Sequence, residues 1–442
     1  MIKKIKNKLN KLDIHTLEVL VKSSKTMLVK VAGMIALLLV SIFLGRTLGS
    51  EGLGIVNFAN KFGMILLVLT MFGFQNVIIK FIAIGKGKLD NQGIASALKT
   101  SVIFNGLLSL LIACIGTILL PIILDMWSGN QDLYIPLLIV FFMLIPQTIS
   151  RVYASALNGY GKIWQANLVN QTLSILLVGI GLLIYGSLDI QFTPISVLIL
   201  YGISRIFMVL IVLMLWKQTF RSKIKGGFNL KPMFTMAKPM VMAQASGVLA
   251  SNVDTLMLVA LGSLKDVGIY TVAAQLALLT SLFLQVSNAA ISPKLASLFN
   301  ESKISEMRVM VQRVTRGLGI VALLFAICFV LFGQWLLGFW GAEFRGAYLV
   351  LVVLSIGQFF NIATGCSGML LVMCGFEKIA GYITISALFL NIILNVLLIK
   401  NYGALGAALA TTITITLMNF TRVIFANKKT GILTIPFFIN NP

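Results

Sequence analysis

One acid stands inside an apolar stretch long enough to cross a bilayer. It is Asp254, in the run from Met240 to Gly262, MVMAQASGVLASNVDTLMLVALG. A charged side chain near a bilayer centre costs about 2.5–3.5 kcal/mol on insertion scales, so an acid at such a place is expected to bind something, an ion or a basic partner. The chemistry open to it is reversible capture of a proton or of Na⁺, or a fixed ion pair. Two bases also lie within apolar runs, Lys61 and Arg205, and each could hold an anion or offset the acid. Gln244, Gly247, Ser251 and Asp254 recur at spacings of 3, 4 and 3, which puts them on one helical face. Asn57 and Lys61 share a face, as do Gln275, Gln285 and Asn288; Asn167, Asn170, Gln171, Gln358, Asn361, Asn391 and Asn395 add amides to other runs. Any single amide of this kind is read first as an interhelical hydrogen bond of about 0.6 kcal/mol. Their recurrence in both halves of the chain points to a wetted cavity lined by Asn57, Lys61, Arg205, Gln244, Gln285, Asn288 and Gln358, with Asp254 as its ion-coupling acid.

The elements that must carry these residues are membrane helices. The chain has 442 residues, 58% hydrophobic and only 11% charged, with a mean hydropathy of +0.99. Soluble domains carry roughly 25% charged residues. Apolar runs of about 20 residues match a hydrocarbon core about 30 Å thick. Twelve are expected, at 27–45, 55–82, 101–123, 134–157, 163–186, 194–216, 240–262, 269–291, 317–338, 347–373, 379–399 and 404–426. The second is irregular, since it holds Lys61, Gln75 and Asn76. The four cysteines fall in apolar runs and read as small hydrophobes, and His15 is the only histidine, so a metal site is not expected.

Basic residues orient the chain. Only Arg46, Lys265, Arg345 and Lys400 fall in the odd-numbered connections, while nearly all the rest lie in the N-terminal arm, the even-numbered connections and the tail. The asymmetry predicts cytoplasmic termini. The net charge of +22 is therefore a signature of topology and of attraction to anionic lipid headgroups, with no nucleic-acid partner expected. On that orientation Asp254 lies about 12 Å from the outer end of its helix, at 1.5 Å per residue, nearly level with Lys61. Arg46 and Arg151, at the ends of runs, read as interface anchors.

An internal repeat appears at about half the chain length. Leu48-Gly49-Ser50-Glu51-Gly52-Leu53-Gly54-Ile55 resembles Leu261 to Ile269, LGSLKDVGI, with one residue inserted, and Gly159-Tyr160-Gly161-Lys162-Ile163 resembles Gly375-Phe376-Glu377-Lys378-Ile379. Six runs per copy is an even number, so the copies are expected to be parallel repeats. The expected organisation is a basic N-terminal arm (1–26), a first six-helix bundle (27–216), a basic linker (217–239), a second six-helix bundle (240–426) and a tail (427–442). No Gly-Lys is followed by Ser or Thr, which excludes the usual phosphate-cradling loop of an ATP-driven pump. The outward connections are short and hold no catalytic cluster, so an enzyme is not expected.

The two LG–GI segments, the Asn158-to-Lys162 stretch NGYGK and the twelve runs around a basic centre resemble the polysaccharide or O-antigen flippases of the multidrug, oligosaccharidyl-lipid and polysaccharide exporter superfamily. The resemblance covers essentially the whole chain. It implies a fold like that of the multidrug exporters and alternating access. It implies movement of an undecaprenyl-diphosphate-linked oligosaccharide between leaflets of a bacterial inner membrane, driven by a proton or sodium gradient with no bound cofactor. Membrane lipids, a polysaccharide polymerase and a chain-length regulator are its implied partners. Asp254 matches the family's acid upstream of the second LG–GIY pattern; Lys61 and Arg205 are assigned from their chemistry alone. A drug or cation antiporter of the same superfamily is the competing expectation, and a lumen with two bases and one acid favours an anionic substrate over it.

Overall fold

The computed structural model describes residues 14–127, 131–222, 224 and 226–436, without the side chains of residues 14–25, Met126, Trp127 and Ala243. Residues 1–13 of the expected basic arm, Lys223 and Lys225 of the linker, and residues 437–442 of the tail lie outside it. Among the described residues every regular element is a helix. In chain order these are α1 (Ile14–Met71), α2 (Phe74–Gly87), α3 (Asn91–Trp127), α4 (Tyr134–Gly159), α5 (Ile163–Asn167), α6 (Leu173–Ser187), α7 (Pro194–Thr219), α8 (Leu230–Leu261), α9 (Leu264–Leu279), α10 (Ser281–Asn300), α11 (Ile304–Leu337), α12 (Tyr348–Ala363), α13 (Ser367–Met373) and α14 (Glu377–Thr430). Nine helical stretches among the described residues are long and apolar enough to cross a membrane, and α9 with α10, bent by 41°, makes a tenth. The protein is an all-α, multi-pass membrane protein, as its composition predicts.

Two of the long helices are broken by glycine. Gly49 (φ 69°) interrupts α1 and Gly403 (φ 51°) interrupts α14, both in the positive-φ region that a side chain would strain. Each break is closed by a carboxylate. Glu343 accepts from Ser50 N at 2.6 Å and Ser50 Oγ at 2.9 Å, and Asp266 Oδ1 accepts from Ala404 N at 3.1 Å. Backbone donors freed at a helix start are thereby satisfied by acids, the charge that a helix N-terminus favours. The run expected at 55–82 is likewise interrupted. Phe72 and Gly73 leave the helix (φ 41° and 74°), and a Cβ on Gly73 would lie 2.5 Å from the Ala237 carbonyl, so α8 packs directly on backbone there.

The chain divides into two compact units, one of residues up to Phe43 with Ala59–Val248 and the other of Leu44–Phe58 with residues from Leu249 onward. The first unit has an apolar core of Phe74, Ile78, Ile82, Leu157, Val212 and Trp216. Its α5 and α6 are joined by a π-helical turn, Leu168–Thr172, where Thr172 Oγ1 donates to Val29 O at 3.0 Å and Gly33 leaves room for that side chain. The second unit packs Leu295, Met307, Val311, Leu370 and Leu371 together, and Ile432 joins them from beyond the end of α14. Cys366 and Cys374 are buried in this unit, whereas Cys114 in the first is exposed.

Within the second unit, the two copies of the repeated LG–GI segment meet. A Cβ on Gly54 would lie 2.0 Å from Leu264 O, and a Cβ on Gly268 would lie 1.9 Å from Ser50 O. Gly54 corresponds to Gly268 in the repeat, and the same offset carries Ser50 to Leu264. The contact is therefore reciprocal, the hallmark of an isologous interface, here between two halves of one chain.

Candidate ion and substrate sites

Asp254 is buried in the second unit and its carboxylate is fully engaged. Oδ2 accepts from Tyr270 Oη at 2.6 Å and from Thr411 Oγ1 at 2.7 Å, and Oδ1 accepts from Asn395 Nδ2 at 2.8 Å. Asn395 Nδ2 also reaches Asn391 Oδ1 at 3.0 Å. All three direct partners are neutral donors, the arrangement that stabilises an ionised carboxylate by charge-assisted hydrogen bonds. Asn395 Oδ1 is buried with no partner, which leaves one acceptor beside the acid uncommitted.

The geometry follows from chain reversals. Asn395 and Thr411 lie sixteen residues apart on α14, which in a continuous helix separates them by about 24 Å. Both touch Asp254, so the chain doubles back between them, at Gly403. Each lies eight residues from that glycine, hence at one level. Asp254 and Tyr270 likewise lie eight residues on either side of Gly262, where Ser263 Oγ accepts from Asp266 N at 3.1 Å and caps α9. Two hairpins of matched reach bring four side chains to one depth. Sequence reading placed Asp254 and noted Asn391 and Asn395 as polar, but gave Tyr270 and Thr411 no role. The equal spacing from the two glycine turns was the available signal.

A second polar chain runs nearby in the same unit. Asn361 Nδ2 donates to Gln358 Oε1 at 3.1 Å, and Asn419 Nδ2 to Asn361 Oδ1 at 3.1 Å. Gln285 is exposed with a long contact to Ser281 Oγ at 3.4 Å, and Asn288 carries a buried oxygen without a partner, as does the amide nitrogen of Asn57. Gln244 is half-buried on α8. Lys61 is half-buried in the first unit.

The first unit holds Arg205, half-buried on α7, with Nη1 directed at Met208 Sδ at 3.6 Å. Arg151 lies half-buried on α4 within reach of the charge of Arg205. No carboxylate forms an ion pair with either guanidinium among the described residues. Two guanidiniums on helices that pack together, with no carboxylate bound, can receive a multivalent anion.

The sequence matches the polysaccharide biosynthesis protein family over residues 19–299, well over half of the chain. The chain belongs to that family. Residues 239–397 also match the MatE family model. The chain is 26% identical to the "Capsular polysaccharide biosynthesis protein CapF" of Staphylococcus aureus over 41% of its length, spanning about half (46%) of that protein. It is 24% identical to the "Probable low-salt glycan biosynthesis flippase Agl15" of Haloferax volcanii over 84% of its length and 75% of that protein. Among solved structures, "Lipid II flippase MurJ, inward closed conformation" aligns over 92% of this chain and 87% of that one, at a TM-score of 0.74 and 16% identity. An inward-facing MATE-family multidrug transporter aligns over 93% and 98%, at 0.73 and 14%. These similarities show the fold. This member of the polysaccharide biosynthesis family is a multi-pass membrane protein with the fold of those flippase and transporter structures.

Proposed function

We propose that this protein moves an undecaprenyl-diphosphate-linked oligosaccharide, an O-antigen or another polysaccharide repeat unit, from the cytoplasmic to the outer leaflet by alternating access. The observation that carries the substrate class is the Arg151–Arg205 pair. A bare diphosphate cannot enter hydrocarbon, because an unpaired ion in a low-dielectric medium costs tens of kcal/mol in the Born limit. Two guanidiniums without carboxylates replace its lost hydration, with Lys61 as a third base, while the polyprenyl tail stays in lipid. Neutral amides such as Asn57, Gln244, Gln285, Asn288 and Gln358 can bond sugar hydroxyls without requiring one sugar.

Asp254 supplies the coupling. Its three neutral donors stabilise the carboxylate, and a proton or Na⁺ taken up there displaces them, so ion release favours one conformation over the other. The reading includes twelve spans in two six-helix bundles. Counting α1 and α14 as two spans each, at Gly49 and Gly403, and the bent α9–α10 pair as one, raises nine apolar helices to twelve. The distribution of Lys and Arg then supports cytoplasmic termini in a bacterial inner membrane. A polymerase and a chain-length regulator would act on the delivered repeat unit.

The test is a reconstituted flipping assay with a fluorescent lipid-diphosphate oligosaccharide in vesicles carrying a proton or sodium gradient. Gradient-stimulated flipping is expected. Export of a cationic dye without flipping would instead identify a drug antiporter.

A further inference from the structure

A slot of about 600 Å³ opens on the second unit between the end of α10 and the start of α11. Lys294 and Leu298 line it from α10, one helical turn apart, and Glu306, Val309, Met310 and Arg313 line it from α11. The floor is apolar, with Leu298 buried and Val309 left 45% exposed. Lys294 and Arg313 are exposed at its rim and bond to no other side chain among the described residues. Glu306 is the acid at the slot. It lines the slot beside Lys303, whose ammonium is bound to Glu301 at 2.7 Å. Two bases against one acid leave the slot net positive over its apolar floor.

Depth identifies what such a slot meets. Arg313 is nine residues, about 14 Å, along α11 from Ile304, and the uncharged stretch of that helix begins four residues later at Gly317. The rim therefore lies where the polar part of the helix gives way to its membrane-crossing part, the level of phospholipid headgroups. At that level basic side chains attract anionic lipids by about 1 kcal/mol each.

We propose that this slot binds one anionic phospholipid, its phosphate held by Lys294 and Arg313 and the first methylenes of its chains laid along Leu298, Val309 and Met310. The volume suits a glycerophosphate headgroup with the upper part of its chains. The assignment rests on the membrane nature of the chain and holds whichever substrate is flipped.

Native mass spectrometry of the full chain in detergent, titrated with phosphatidylglycerol or phosphatidylcholine, tests it. Phosphatidylglycerol is expected to bind at about tenfold lower concentration, and the K294Q/R313Q double variant to lose that preference. The charge-preserving K294R/R313K variant is expected to keep it, which separates loss of charge from damage to the fold. Equal binding of the two lipids by the wild type, or an undiminished preference in K294Q/R313Q, overturns the proposal. So does displacement of phosphatidylglycerol by equimolar undecaprenyl phosphate, which would make the slot a site for the lipid carrier instead.

Discussion

Tyr270 donates its phenolic hydrogen to Asp254 Oδ2 across 2.6 Å, from a helix that begins only after the chain has turned at Gly262 and Ser263. The bond joins the acid to the first helix after the turn. A coupling acid needs a connection of this kind, because an ion shifts a conformational equilibrium only through contacts that differ between the two states.

Asp254→Asn keeps the shape of the side chain and removes its charge. Flipping by this variant is expected to be indifferent to the imposed gradient, at a rate set by the lipid alone. Tyr270→Phe removes one charge-assisted bond, worth about 1.5–3 kcal/mol. It should keep gradient dependence while shifting the half-maximal ion concentration by tenfold or more. Gradient-dependent flipping by Asp254→Asn at wild-type levels would remove the acid from the coupling step.

Arg151 and Arg205 make an opposite pair of predictions for stability and binding. Each repels the other, so Arg151→Gln or Arg205→Gln should leave thermal stability unchanged or raise it. The same variants should weaken binding of a lipid-diphosphate sugar by about tenfold or more, the loss of one charge-assisted contact. Scanning fluorimetry and a binding titration on the same samples check both. A fall in stability without a fall in affinity would make the pair structural.

The glycine crossing predicts equivalent effects from two distant substitutions. In Gly54→Ala and in Gly268→Ala the new methyl meets a carbonyl oxygen at about 2 Å, so the helices must part. Overpacking of this kind costs about 1–3 kcal/mol. The melting temperature should fall to a similar extent with either alanine. Gly106→Ala, where a Cβ meets nothing within 4 Å, should leave it unchanged.

Glu343 closes the break at Gly49 with two hydrogen bonds to Ser50. Glu343→Ala strands a backbone donor and a hydroxyl, and a lost cap of this type costs about 1–2 kcal/mol. Glu343→Gln keeps an acceptor and should recover part of the loss in a thermal melt. Identical melts for the two variants would mean that water replaces the carboxylate without cost.

Much of the architecture was legible because the membrane leaves few options: apolar runs of bilayer length must be helices, and an acid among them must be engaged. Asp254 was found by its cost. Tyr270 and Thr411 were not, since a tyrosine and a threonine in an apolar run are ordinary residues until the turns at Gly262 and Gly403 bring them level with the acid. For Arg151, sequence gives the position along a helix but not the packing of α4 on α7 that brings it near Arg205. The breaks at Phe72–Gly73 and at Thr364–Cys366 were also hidden, inside runs expected to be continuous helices.

The crossing of the two LG–GI segments bears on how such a chain could arise. Gly54 rests on the backbone near Leu264, and Gly268 rests on the backbone near Ser50, by the same offset. A protein of half this length, carrying one such segment, could make the identical contact with a second copy of itself. Duplication and fusion of its gene would then preserve a working interface from the first generation, while freeing each half to diverge. One half could keep arginines where the other acquired an acid, an asymmetry that a symmetric dimer of identical chains cannot encode.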